Sequence, residues 1–217
     1  TDTWVAEEAA SSVESNGPMD FTADGLRVVT GSGNRVTVWD TLARRPLRSI
    51  ELSQECFAIA CSADGLVAIG CRGDDTAIFD LDELRPIARY RFPSATACLE
   101  WQPHTRILAS GHRDGTLRVT DTSAGIVRAI HRDHERAVTN LCYTADGKTL
   151  FSSSEDGTIR MWHTTTGEEM GVLYRIPPQR AGGLGCGGVH VTPDGNRIIV
   201  ARQIVDERPS LLVWDLE

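Results

Sequence analysis

Three groups of residues in this chain of 217 residues have types and spacings that chemistry would require. The first, Gly183-Leu184-Gly185-Cys186-Gly187-Gly188, fits the G-x-G-x-x-G pattern of a dinucleotide cradle. Such a cradle needs a strand before it and a helix after it, so that the helix N-terminus meets the pyrophosphate. Here Val189-His190-Val191-Thr192-Pro193-Asp194-Gly195 follows and reads as a strand and a turn, so the glycines read as a loop between repeat units. The second group is His131, Asp133, His134 and Glu135, a short run of metal-ligating types. A divalent-metal site needs three or four convergent ligands, and no second cluster supplies the others. The third is Ser152-Ser153-Ser154 with His and Asp nearby. A hydrolase would present its serine on a G-x-S-x-G elbow or an equivalent, whereas this run lies in a strand and turn signal. The acidic pairs Glu7-Glu8, Asp74-Asp75 and Glu168-Glu169 fall in turns or polar links, where solvation accounts for them. The expectation is a protein with no catalytic residues, no cofactor and no metal, and so not an enzyme.

Composition narrows the partners. A net charge of -8 disfavours nucleic acid, which needs a basic face, and equally disfavours an anionic membrane surface. The longest apolar stretches, such as Leu211-Leu212-Val213-Trp214, are far too short to cross a bilayer. Six cysteines lie scattered without a C-x-x-C pair, mostly in apolar or small-residue runs, and read as buried free thiols of a reducing, cytoplasmic compartment. The chain begins at Thr1 with no signal-peptide pattern, as an excised segment would.

The elements that position these residues come from a repeat. Five segments end alike, at Val36-Thr37-Val38-Trp39-Asp40, Thr76-Ala77-Ile78-Phe79-Asp80, Leu117-Arg118-Val119-Thr120-Asp121, Ile159-Arg160-Met161-Trp162-His163 and Leu211-Leu212-Val213-Trp214-Asp215. Their last residues are 40, 41, 42 and 52 positions apart. A second mark recurs upstream in the same phase: Asp24-Gly25, Asp64-Gly65, the degenerate His104-Thr105, Asp146-Gly147 and Asp194-Gly195. Asp-Gly between alternating apolar runs is a strong hairpin signal. In the fourth unit Thr139–Tyr143, Thr149–Ser152 and Thr158–Trp162 read as three strands, with a second turn at Asp156-Gly157. Weaker fourth strands follow the third ones, as in Pro46–Leu52 and Ile87–Phe92. Four short strands per period of about 40 residues is the make-up of a propeller blade.

These units resemble the WD40-repeat family from about Met19 to Asp215, the fourth unit most closely. The resemblance implies an all-β propeller. Units of about 19–55, 56–95, 96–136, 137–183 and 184–217 follow an N-terminal segment, 1–18, that could supply an outer strand (Thr3–Ala6) to an adjoining blade. It also implies a structural hydrogen-bond chain through His134, Ser152, Asp156 and Trp162. The first unit departs from the pattern with Asn34 at the turn Asp, and the third with Thr120 for the Trp. Both a segment of a larger, seven-bladed ring and a compact five-bladed ring fit five legible units, the former better.

The family's function is to bind proteins or peptides on variable loops. The fifth unit is expanded at the link leading into it and at its second turn, two places that share one face in such a propeller. This nominates Tyr174, Arg175, Gln179, Arg180, Asp206, Glu207 and Arg208 as partner-binding, with Arg72, Asp74, His112 and Arg113 from neighbouring turns. Two functions fit: a non-catalytic interaction scaffold, or a regulatory or sensory domain of a larger multidomain kinase, protease-like or nucleotide-hydrolysing effector. Its partners would be a protein or peptide and the remaining blades or other domains of the same polypeptide.

Overall fold

The computed structural model describes residues 17–176, 186–192, 194–202 and 210–216, and of Cys186, Gly187, Arg202 and Ser210 the backbone alone. Every regular element among these is a β-strand. They form five antiparallel meanders. Blade 1 holds β1 (Met19–Phe21), β2 (Arg27–Ser32), β3 (Arg35–Asp40) and β4 (Arg45–Glu51). Blade 2 holds β5 (Cys56–Cys61), β6 (Leu66–Cys71), β7 (Asp75–Asp80) and β8 (Pro86–Arg91). Blade 3 holds β9 (Thr96–Trp101), β10 (Ile107–His112), β11 (Leu117–Asp121) and β12 (Ile126–His131). Blade 4 holds β13 (Val138–Tyr143), β14 (Thr149–Ser154), β15 (Thr158–His163) and β16 (Glu169–Arg175). Blade 5 shows β17 (Cys186–Val191), β18 (Arg197–Arg202) and β19 (Ser210–Asp215).

The strands pair as the turns dictate. In blade 4, Phe151 faces Cys142 on one side and Met161 on the other, and Trp162 lies opposite Leu150. The first strands pack on one another in the order β1, β5, β9, β13, β17, the arrangement of inner strands around a propeller axis. The core therefore lies between sheets. Val36 and Val38 of blade 1 meet Ile59, Val67 and Phe79 of blade 2, and Leu117 of blade 3 meets Leu141, Tyr143 and Trp162 of blade 4. Ile159 of blade 4 meets Val189, Ile198 and Trp214 of blade 5. Fourth strands sit at the rim and stay wet, with Ile87, Ile126 and Val172 all exposed.

The degenerate first turn of blade 3 is built differently from its counterparts. Where Gly65 and Gly147 take positive φ, Thr105 cannot do so cheaply, and the left-handed residue is His104 at φ 58°. The run of glycines that resembles a dinucleotide cradle leads into β17, a strand and not a helix.

Candidate functional site

In blade 4 the four residues of the expected structural chain meet. The indole N–H of Trp162 donates to Ser152 Oγ (2.8 Å), whose hydroxyl donates to His134 Nε2 (2.7 Å). His134 Nδ1 then donates to Asp156 Oδ2 (2.9 Å), which also accepts the backbone N–H of Glu135 (3.1 Å). Each step uses one donor and one acceptor, so a neutral imidazole protonated on Nδ1 satisfies the chain from end to end. Burial works to raise the Asp156 carboxyl, but hydrogen bonds from His134 and Thr158 outweigh it and hold the group well below the usual carboxylate range.

A buried Ser–His–Asp array resembles the machinery of a hydrolase. Ser152 is fully buried, and its oxygen already accepts the Trp162 N–H. A nucleophile must reach a substrate carbonyl, and this oxygen has no path to one. The array ties the link leading into blade 4 to the blade's own second turn.

Blade 3 reaches the same end by another route, and here the expectation for His112 is corrected. His112 is fully buried and makes no partner surface. Its Nε2 lies 3.0 Å from Ser110 Oγ, and its Nδ1 lies 3.1 Å from the carbonyl of Ser94. Phe92 holds the place that His134 has in blade 4 and packs edge-on against the His112 ring, centroids 4.9 Å apart. Burial, helped by the charge of Arg118, pushes the imidazole down to about 4. The signal in the sequence is the i, i+2 spacing of Ser110 and His112, which puts both on one face of β10 if the strand runs that far.

Blades 1 and 2 complete the series. In blade 1, Trp39 donates to Thr30 (2.9 Å); in blade 2, Phe79 and Ile69 occupy the same two places, with no donor and no acceptor to satisfy.

The remaining nominated residues divide. Arg72, Asp74, Arg113 and Arg175 are exposed at the end of the sheets that carries the inter-blade links. Arg72 pairs with Glu55 (2.8 Å). Tyr174 is half-buried, with its ring centroid 5.8 Å from that of Trp214 in the joint between blades 4 and 5. Gln179, Arg180, Asp206, Glu207 and Arg208 lie outside the described residues. Sequence reasoning missed Phe57, a half-buried ring over which the Arg113 guanidinium sits at 4.8 Å. It also missed two carboxylates on inner strands, Asp20 and Glu100. Burial raises the Asp20 carboxyl although it accepts the Cys61 N–H at 2.7 Å. Burial, with the charge of Asp20, pushes Glu100 up to about 8. Each is a lone acid in an apolar strand, which was the signal available.

At the opposite end, a cleft of about 500 Å³ opens between blades 3 and 4, lined by Arg106, Tyr143, Trp162 and His163 among others. His131 packs against Trp162 with centroids 4.3 Å apart and ring planes tilted by 36°, which directs that ring to packing. Among the described residues, no group of three or more His, Cys, Asp or Glu is placed to hold a metal ion. No described helix is long and apolar enough to cross a membrane.

Known proteins agree with this geometry. The WD40 family profile (WD domain, G-beta repeat) matches residues 87–121 and 126–163, each stretch an outer strand followed by three strands of the next sheet. Mouse apoptotic protease-activating factor 1 is 27% identical over 158 residues, 68% of this chain and 12% of that protein. Mouse serine-threonine kinase receptor-associated protein is 22% identical over 161 residues, 74% of this chain and 46% of that protein. The chain thus spans less than half the length of these relatives. Among solved structures, the Myceliophteria thermophila Cps50 (Swd1) β-propeller domain superposes with a TM-score of 0.72 at 17% identity. The match covers 85% of this chain and 62% of that one. The chain thus carries WD40-type repeats and folds as a β-propeller, and in both respects it resembles the WD40-repeat family.

Proposed function

We propose that the chain is a non-catalytic protein-interaction platform that holds a protein or peptide partner on the end carrying its inter-blade links. The observation that carries this reading is Arg113 lying over the half-buried Phe57 ring, an exposed guanidinium stacked in place on a rigid support. Arginine and aromatic anchors supply a large share of binding energy at protein interfaces, and an ordered one loses little entropy on binding. Arg72, Asp74 and Arg175, exposed at the same end, supply its polar rim, and Tyr174 supports that rim from the joint between blades 4 and 5; Gln179, Arg180, Asp206, Glu207 and Arg208, outside the described residues, are assigned to the same partner by their place in the expanded fifth unit alone. The five free cysteines among the described residues support a cytoplasmic setting.

Cross-linking the immobilised chain in cell extract tests the platform. Arg72→Glu with Arg113→Glu and Arg175→Glu should lose the captured proteins while the melting temperature stays within about 2 °C, because exposed substitutions seldom matter to stability. Unchanged capture would refute the assignment of this end. The match to a segment of apoptotic protease-activating factor 1 favours a second reading, in which the same platform regulates a larger effector. Partners captured only by the longer polypeptide would single out that reading.

A further inference from the structure

Two cysteines that stand 15 residues apart in the sequence face each other across a hairpin. Cys56 opens β5 and Cys71 closes β6, and the ladder sets them directly opposite. One residue outside them, the main-chain N–H of Arg72 donates to the Glu55 carbonyl (2.8 Å), so Cys56 and Cys71 form a non-hydrogen-bonded pair. Such a pair brings its Cα atoms to about 4.5 Å, the closest approach of an antiparallel ladder and inside the range that a disulfide spans. Both side chains turn to one face, into the cluster that blade 2 shares with blade 1, and both are free thiols. The Cys56 thiol donates to the Ala58 carbonyl (3.6 Å).

The matching places of other blades hold no thiols. Thr96 lies opposite His112 in blade 3, and Val138 lies opposite Ser154 in blade 4. Cys61, Cys98 and Cys142 face Val67, Gly111 and Phe151 across their own ladders. Among the described residues, Cys56 and Cys71 are thus the cysteines in register. Their surroundings differ. Burial pushes Cys56 up to about 12, and the charge of Cys71 beside it adds to the rise. Cys71 is raised as well, by burial and by Asp75, but the Arg89 guanidinium works against that rise. Cys71 also borders the exposed Arg72. It is the thiol that an oxidant meets first as thiolate, and Cys56 is the one that follows.

We infer that Cys56 and Cys71 are a reversible redox couple, a dithiol that hydrogen peroxide closes into a cross-strand disulfide. The Cys71 thiolate attacks one peroxide oxygen, the O–O bond breaks, and the departing hydroxide takes up a proton to become water. Cys71 is left as a sulfenic acid. The Cys56 sulfur then attacks the Cys71 sulfur, and the Cys56 proton leaves with the sulfenic hydroxyl as a second water. Two thiols give up two electrons, and one peroxide becomes two waters. A thiol reductant such as glutathione reverses the change by exchange. The bond lies one residue inside the Glu55–Arg72 ion pair, and Phe57, whose ring carries Arg113, follows Cys56 directly. Its place at the border of the platform rests on the function proposed for that end; its formation rests on the strand register alone.

The test treats the folded, reduced chain with hydrogen peroxide, alkylates the remaining thiols and maps linked peptides by mass. A chain unfolded in guanidinium chloride is oxidised alongside. The folded chain should yield the Cys56–Cys71 link at about tenfold or more over any other pair, because the ladder holds these two within bonding geometry and the rest outside it. The linked form is lighter by two hydrogens and reopens with dithiothreitol, whereas the unfolded chain gives mixed pairs. Sulfoxide at Met19, which is 57% exposed, marks that oxidant acted in each sample. Sulfoxide at Met19 with Cys56 and Cys71 still open to alkylation would overturn the couple, as would a folded-chain map as mixed as the unfolded one. The order of attack has its own readout. Cys56→Ala should trap Cys71 as a sulfenic acid that dimedone captures, and Cys71→Ala should leave Cys56 unmodified over the same exposure. The reverse pattern would overturn the assignment of Cys71 as the attacking thiol. The map of the unaltered chain stands even where neither variant folds.

Discussion

A serine hydroxyl at the centre of a buried chain serves two neighbours at once, and that doubles what its loss costs. Removing Ser152 Oγ leaves the Trp162 N–H and His134 Nε2 buried without their partner. Each orphaned group costs about 1–3 kcal/mol, so Ser152→Ala should destabilise the chain by about 2–4 kcal/mol in chemical denaturation. Trp162→Phe removes the donor itself and leaves Ser152 bonded to His134, so it forfeits packing and one bond of about 1 kcal/mol. The two changes should sum to less than their separate costs by about 0.5–1.5 kcal/mol, because the double variant has no orphaned indole N–H. Strict additivity in the double-mutant cycle would show that the chain is not coupled. Blade 2 displays the apolar solution to the same problem in Phe79 and Ile69. Blade 3, with Thr120 at the Trp position, leaves that threonine hydroxyl buried and without a hydrogen-bond partner.

At the scale of the element, turns set the strands and are themselves seated against neighbours. Gly65 and Gly115 share the same φ of +82°, a left-handed conformation that costs an L-residue about 1–2 kcal/mol. An added Cβ at Gly65 meets nothing within 4 Å, whereas at Gly115 it would lie 2.5 Å from the His134 carbonyl oxygen and 2.9 Å from that of Arg136. Gly115→Ala should therefore cost about 1–3 kcal/mol more than Gly65→Ala, since the obstacle is backbone of the link into blade 4 and cannot swing aside. Equal losses in thermal melts would mean that this link yields freely. The same reasoning explains what could be read from the sequence. Asp-Gly turns and alternating apolar strands depend on neighbours a few residues away, so the first three strands of blade 4 lie close to where their residues place them. The His134, Ser152, Asp156 and Trp162 set is what the WD40 resemblance implies, carried over by position. His112 follows from neither, because its burial depends on Phe92 and Ser94 from the link before the blade, and a histidine beside Arg113-Asp114-Gly115 looks like part of an exposed turn. Phe57 and Arg113 lie 56 residues apart and meet only when blades 2 and 3 are docked.

The whole molecule places acids on inner strands, where five sheets converge. Glu100, on β9, is pushed up to about 8 by burial and by the Asp20 charge from β1. The thiols of Cys98 and Cys142 near it are pushed up to about 12 and about 11, so they stay neutral below pH 9 and leave Asp20 as the charge to which Glu100 responds. A carboxyl that holds its proton more tightly folded than unfolded stabilises the fold fully below its unfolded value of 4.5, and that contribution is lost as the pH rises to about 8. His112 acts in the other direction, because an imidazole held down to about 4 loses stability for the fold as the pH falls from 6.5. The two oppose each other between pH 4.5 and 6.5, so the parent's own profile there is flattened, and only a difference between variants separates them. Glu100→Gln keeps the size and polarity of the side chain and cannot ionise. Its melting temperature relative to the parent should rise from pH 5 to pH 8, by which point the parent has paid to ionise Glu100 beside Asp20. A difference that stays level across that range would mean that Glu100 titrates as a solvated acid and that the centre of the propeller is wet enough to screen it.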